Sequence, residues 1–87
     1  MDQVQRLRDL AVSETGFVFD PISGSTFNTN ATGRLVLESL RDERTREDIK
    51  ARLHQEFAIR TEDLDRDLDE FVFLLREGGL LPANFSL

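Results

Sequence analysis

The chain has 87 residues, 39 % apolar and 32 % charged, with a net charge of −6 and no cysteine. This is the size and composition of one small soluble domain with a single core, not of a disordered chain. The charge disfavours nucleic acid and anionic membrane as partners, and the absence of cysteine excludes disulfides, thiolate metal sites and a cysteine nucleophile. No apolar run reaches the roughly 18–20 residues of a membrane helix, and Met1–Arg6 lacks a signal-peptide core. A cytoplasmic location is therefore expected.

Residues 1–9 are expected to be loose, because Val4, Leu7 and Ala11 make only a weak helical face. Leu10 and Val12 alternate like a strand and place a short one near 10–13. Glu14-Thr15-Gly16 signals a turn, and Phe17-Val18-Phe19 suits a pleated surface. Asp20-Pro21-Ile22-Ser23-Gly24 is a strong turn: Pro presets φ, Asp and Ser bond nearby backbone, and Gly permits positive φ. Ser25-Thr26-Phe27-Asn28 returns as a third strand, with Phe27 expected to join Phe17 and Phe19 on one face.

Three helices are predicted next. Asn30 caps the first, which runs to about Leu40 with Val36, Leu37 and Leu40 inward. Thr45 caps the second, paired with Asp48 three residues on, and Ile49, Leu53 and Phe57 face inward. Thr61 is expected to cap the third, whose buried stripe is Leu64, Leu68, Phe71 and Leu75. Gly78-Gly79 ends that helix with a left-handed cap, and Leu80 and Leu81 fold back on the core. Phe73 lies opposite the stripe and should face outward. Either the tail with Phe85 folds over it or this face meets a partner.

The predicted class is thus α+β: a small winged-helix-like domain with a short three-stranded antiparallel sheet followed by three helices. It spans 10–81, after the loose 1–9 and before a short tail, 82–87. The winged-helix order raises a DNA-binding regulator. However, residues 61–87 carry seven acids against two bases, the wrong sign for a helix in the major groove. Catalysis has little support. His54 is the only histidine and has no nucleophile or metal-ligand spacing beside it. Gly78-Gly79 is not followed by the Lys-Ser/Thr of a phosphate loop. No catalytic residue, cofactor or metal site is expected.

The ordered set Gly16-Phe17-Val18-Phe19-Asp20-Pro21, Gly24-Ser25-Thr26-Phe27 and Asn30-Ala31-Thr32-Gly33 resembles the PqqD family. The family's Ser/Thr-capped helix is matched by Thr45-Arg46-Glu47-Asp48-Ile49. Its acidic-apolar helix ending in Gly-Leu-Leu is matched from Asp67 through Gly79-Leu80-Leu81. The opening string looks most like a subgroup associated with HPr-kinase-like proteins.

This resemblance implies a non-catalytic recognition element for ribosomally made, post-translationally modified peptides. It implies that a leader peptide adds as a strand to the sheet edge beside the third helix and is presented to a modifying enzyme. The residues suit that role: Ser25, Thr26, Phe27 and Asn28 form a strand without proline or charge. Leu68, Phe71, Leu74 and Leu75 are candidate walls, and acids such as Asp67 could meet basic peptide residues. A plain core role for the Leu/Phe stripe stands beside this reading. The implied partners are the precursor peptide and its enzyme, with no nucleic acid or membrane, and the protein itself a monomer or weak homodimer. A protein–protein adaptor or regulator using the same edge without a leader peptide is the alternative.

Overall fold

A computed structural model describes residues 3–87. The elements run α1 (Gln5–Arg8), β1 (Ala11–Val12), β2 (Phe17–Phe19), β3 (Thr26–Asn28), α2 (Ala31–Arg41), α3 (Arg46–Phe57) and α4 (Thr61–Glu77). The strands form an antiparallel meander in the order β1-β2-β3, so β3 is an edge. The α+β class and the strands-then-helices order are as the sequence predicts.

The start of the chain differs from expectation. Met1 and Asp2 lie outside the described residues, but the rest of the segment expected to be loose contains α1, with Val4 and Leu7 buried in the core. Four residues have no helical stability of their own. The turn forms because it packs on α2 and because Arg6 bonds Asp20, fourteen residues on.

The hairpin register corrects the expected aromatic face. Val18 pairs with Phe27, Phe17 with Asn28 and Phe19 with Thr26. Alternation then puts Val18 and Phe27 on the inner face and Phe17 and Phe19 on the outer one. Val18 is fully buried, whereas Phe17 remains 44 % exposed. Gly16 fixes how the sheet meets α2: its φ is +90°, and a Cβ there would sit 2.0 Å from the Thr29 carbonyl oxygen. Only glycine allows that approach.

Asn30 caps α2 by accepting from the Gly33 N–H at 2.8 Å, and Thr45 caps α3 by accepting from the Asp48 N–H at 3.1 Å. Val36, Leu37 and Leu40 from α2 meet Ile49 and Leu53 from α3 in one core. Phe57, expected inward, is exposed instead. The helix ends there, and Ala58, at φ +52°, turns the chain away before Phe57 can be covered.

On α4 two expectations shift by one residue. Arg60 holds the N-cap position without a side-chain cap, and Thr61 is the first helical residue. The buried stripe is Leu64, Leu68, Val72 and Leu75, with Phe71 half-buried at its border. Spacings of four, four and three keep Val72 on the core side and release Phe71 towards the sheet. The far end is a Schellman cap: the Leu80 N–H donates to the Leu75 carbonyl and the Gly79 N–H to that of Arg76, with Gly79 at φ +75°.

Leu80 and Leu81 return to the core as expected, and Phe85 follows them. Arg76 Nη1 holds the Phe85 carbonyl at 2.7 Å. The tail is therefore docked and Phe85 is a core residue, while Phe73 stays 51 % exposed. Between α3 and α4, Arg46 bonds Asp65 and Asp69 and Lys50 bonds Asp65, which neutralises two of the α4 acids internally.

Candidate functional site

β3 and the C-terminal half of α4 diverge and leave a groove of about 640 Å³ between them. Its apolar surface comes from Phe27 on the sheet, Phe71, Leu74 and Leu75 on α4, and Leu80 beyond the cap. Leu74 is 64 % exposed, an unusual cost for a leucine beside two half-buried phenylalanines. A mostly apolar groove of this volume is in the range of ligand pockets and is the candidate site.

The ladder dictates which backbone groups look into the groove. The Asp20 N–H donates to the Ser25 carbonyl and the Thr29 N–H to the Gly16 carbonyl. In an antiparallel pair, hydrogen-bonded and non-hydrogen-bonded positions alternate. Ser25, Phe27 and Thr29 therefore turn their backbone groups to β2. Thr26 and Asn28 turn their N–H and C=O outward, where no backbone partner meets them among the described residues. The edge thus offers two donors and two acceptors along the rim of an apolar groove.

Among the described residues lining the groove, only Arg6 and Asp20 ionise, and they neutralise each other. Arg6 Nη1 and Nη2 donate to the two Asp20 carboxylate oxygens at 3.1 and 2.6 Å. The Ser23 hydroxyl and the Ile22 N–H donate to the same carboxylate at 2.9 and 3.0 Å. The Arg6 guanidinium above all, with Ser23 and Ile22, holds Asp20 well below the usual carboxylate range against the opposing effect of burial. This cluster pins α1 to the β2–β3 turn and closes one end of the groove.

A pH dependence follows from that shift. A carboxylate whose folded pKa is depressed contributes stability above its unfolded pKa and loses it as pH falls towards the folded value. Asp20 therefore contributes fully above the ordinary carboxylate range, and its contribution disappears on acidification. Urea melts should show Asp20→Asn less stable than the parent at neutral pH. The gap should narrow between about pH 5 and about pH 2, within the ordinary carboxylate window. A gap independent of pH would mean that the Asp20 charge is not what Arg6 binds.

Of the residues expected at the site from sequence, Ser25, Phe27, Asn28, Phe71, Leu74 and Leu75 line the groove. Thr26 lies on the same edge and contributes backbone only, its side chain being on the outer face with Phe19. Asp67 and Leu68 lie outside the groove, bordering a smaller depression, and Leu68 is a core residue. Sequence reasoning missed Arg6, Asp20 and Ser23 at the closed end, and Thr29, Asn30 and Gly78 on the rim. The turn chemistry of Asp20 and Ser23 was visible, but nothing local pointed to Arg6.

His54 Nδ1 meets the Ile59 carbonyl at 3.0 Å and so braces the link between α3 and α4. Among the described residues no three His, Asp or Glu side chains come together to hold a metal ion, and no helix is long and apolar enough to cross a membrane.

Comparison with solved structures finds this fold elsewhere. One similar structure is described as "Lasso peptide synthetase B1 complexed with the leader peptide". It shares 28 % identity and a TM-score of 0.68, covering 80 % of this chain and 84 % of that one. Another, "TbiB1 in Complex with the TbiA(beta) Leader Peptide", has a TM-score of 0.74 at 20 % identity, covering 90 % and 91 %, and shows the common fold. A search of curated proteins finds no match. The model of the family described as coenzyme PQQ synthesis protein D matches residues 16–81, from the Gly16 turn through the returning Leu80-Leu81. With most of its length matched, the chain belongs to the PqqD family.

Proposed function

We propose that this protein binds the leader segment of a ribosomally made precursor peptide as an added strand on β3 and presents it to a modifying enzyme, without performing chemistry itself. The observation that carries this reading is the open β3 edge, with Thr26 and Asn28 facing outward along the apolar groove. Four backbone bonds contribute about 0.5–1.5 kcal/mol each. Side chains entering between Phe27, Phe71 and Leu74 supply the rest. The 28 %-identical relative, whose complex contains a leader peptide, supports the same role. The groove's carboxylate, Asp20, is held by Arg6, Ser23 and Ile22 and is a weak base for that reason, which supports a binding role. Ribosomal precursors are made in the cytoplasm, and the encounter is placed there. Duplex DNA is not a partner in this reading, since α4 carries Asp63, Asp65, Asp67, Asp69 and Glu70.

Titration of the isotopically labelled protein with the leader segment of a precursor encoded nearby tests the site. Amide shifts should concentrate on Ser25–Asn28 and on the groove face of α4 around Phe71–Leu75. Shifts centred on Arg41–Lys50 would place the peptide elsewhere and overturn the assignment.

A further inference from the structure

Beside the groove, sharing Asn30 and Phe71 with it, lies the smaller depression of about 300 Å³. Its walls include Val36, Leu53 and Leu68, all buried in the core. Its volume is at the lower end of the roughly 300–1,000 Å³ of ligand pockets, which suits one side chain better than a separate ligand. Among the described residues lining it, Asp67 alone ionises.

Asp67 is well placed to accept a partner. Its neighbours Asp65 and Asp69 are engaged by Arg46 and Lys50. Asp67 itself is 45 % exposed and has only a long contact, 3.4 Å, with Arg66, which also reaches Asp63 at 3.3 Å. A carboxylate has room for several donors, so this contact leaves acceptor capacity unused. Apolar walls with a carboxylate at the mouth match an aliphatic stem ending in a cation, since lysine and arginine bury their methylenes and keep the charge at the rim. The groove offers a cation no equivalent, because Arg6 already holds Asp20.

We propose that this depression is a subsite for a lysine or arginine of the bound peptide, seated just beyond the segment paired with β3, with Asp67 receiving its charge. The proposal rests on strand addition at β3. The chain leads from Asn28 to Asn30, and Asn30 borders both cavities. At about 3.3 Å per residue, the basic residue falls about two or three positions past the one facing Asn28.

The test is selection of a randomised library of linear peptides on the whole protein, followed by affinity measurements on synthetic copies. Binders sensitive to alternate N-methylation should carry lysine or arginine at that flank. Replacing it with methionine should weaken binding about three- to fivefold, the scale of a half-exposed ion pair. That loss should vanish on Asp67→Asn, and Asp67→Lys should select aspartate or glutamate at the same position. N-methylation-sensitive binders with no basic preference, or with one that survives Asp67→Asn, would overturn the subsite and leave strand addition standing. Absence of any such binder would overturn both.

Discussion

A bound peptide should lose affinity about 5- to 100-fold for each N-methyl group placed on every second residue of its paired segment, and little at the residues between. The period comes from the strand, which presents its donors to one side at alternate positions. The magnitude comes from leaving an outward carbonyl of Thr26 or Asn28 unsatisfied under a covering peptide, which costs more than the bond itself contributes. The protein side gives a matching result. Thr26→Pro removes an N–H that takes no part in the β2–β3 ladder, and an edge strand tolerates proline. It should leave the fold intact and weaken binding about tenfold. Phe27→Pro removes a donor that faces Val18 and should disrupt the sheet itself. A peptide that binds as a helix, or that ignores N-methylation at all positions, would rule out strand addition.

That prediction depends on register, which was only partly legible in the sequence. The turn residues Asp20–Gly24 and the strands on either side were readable from local chemistry. The pairing of Val18 with Phe27 was not, because three aromatics in two strands invite a single aromatic face, and only the turn's geometry settles the parity. The cap at Asn30 and the Gly79 turn were legible for the opposite reason: each is decided within a few residues. α1 was hidden because its stability is wholly tertiary, supplied by Val4, Leu7 and the Arg6–Asp20 pair. The groove was half-visible. Its Leu/Phe walls sit on a periodic helix, but periodicity alone could not separate Leu68 in the core from Leu74 on the rim, or Val72 from Phe71.

Substitutions on α4 should separate these roles. Leu68 is buried among the core residues of all the long helices, so Leu68→Ala should cost about 2–5 kcal/mol through lost transfer energy and the cavity left behind. For a chain of this length total stability is roughly 4–13 kcal/mol, so the loss threatens folding. Leu74→Ala removes a side chain that is mostly in water and should alter stability by no more than about 0.5 kcal/mol. Phe73→Glu, on an exposed position outside the groove, should stay within about 1 kcal/mol. Peptide affinity should then order the variants differently. Leu74→Ala should weaken binding about fivefold or more, as expected for an anchor wall, while Phe73→Glu leaves it nearly unchanged. Chemical melts and titrations on the same samples read both quantities. If Leu74→Ala destabilises as strongly as Leu68→Ala, the helix faces the core differently from the structure described. If Leu74→Ala is stable yet binds peptide as well as the parent, the groove is not where the peptide's side chains go.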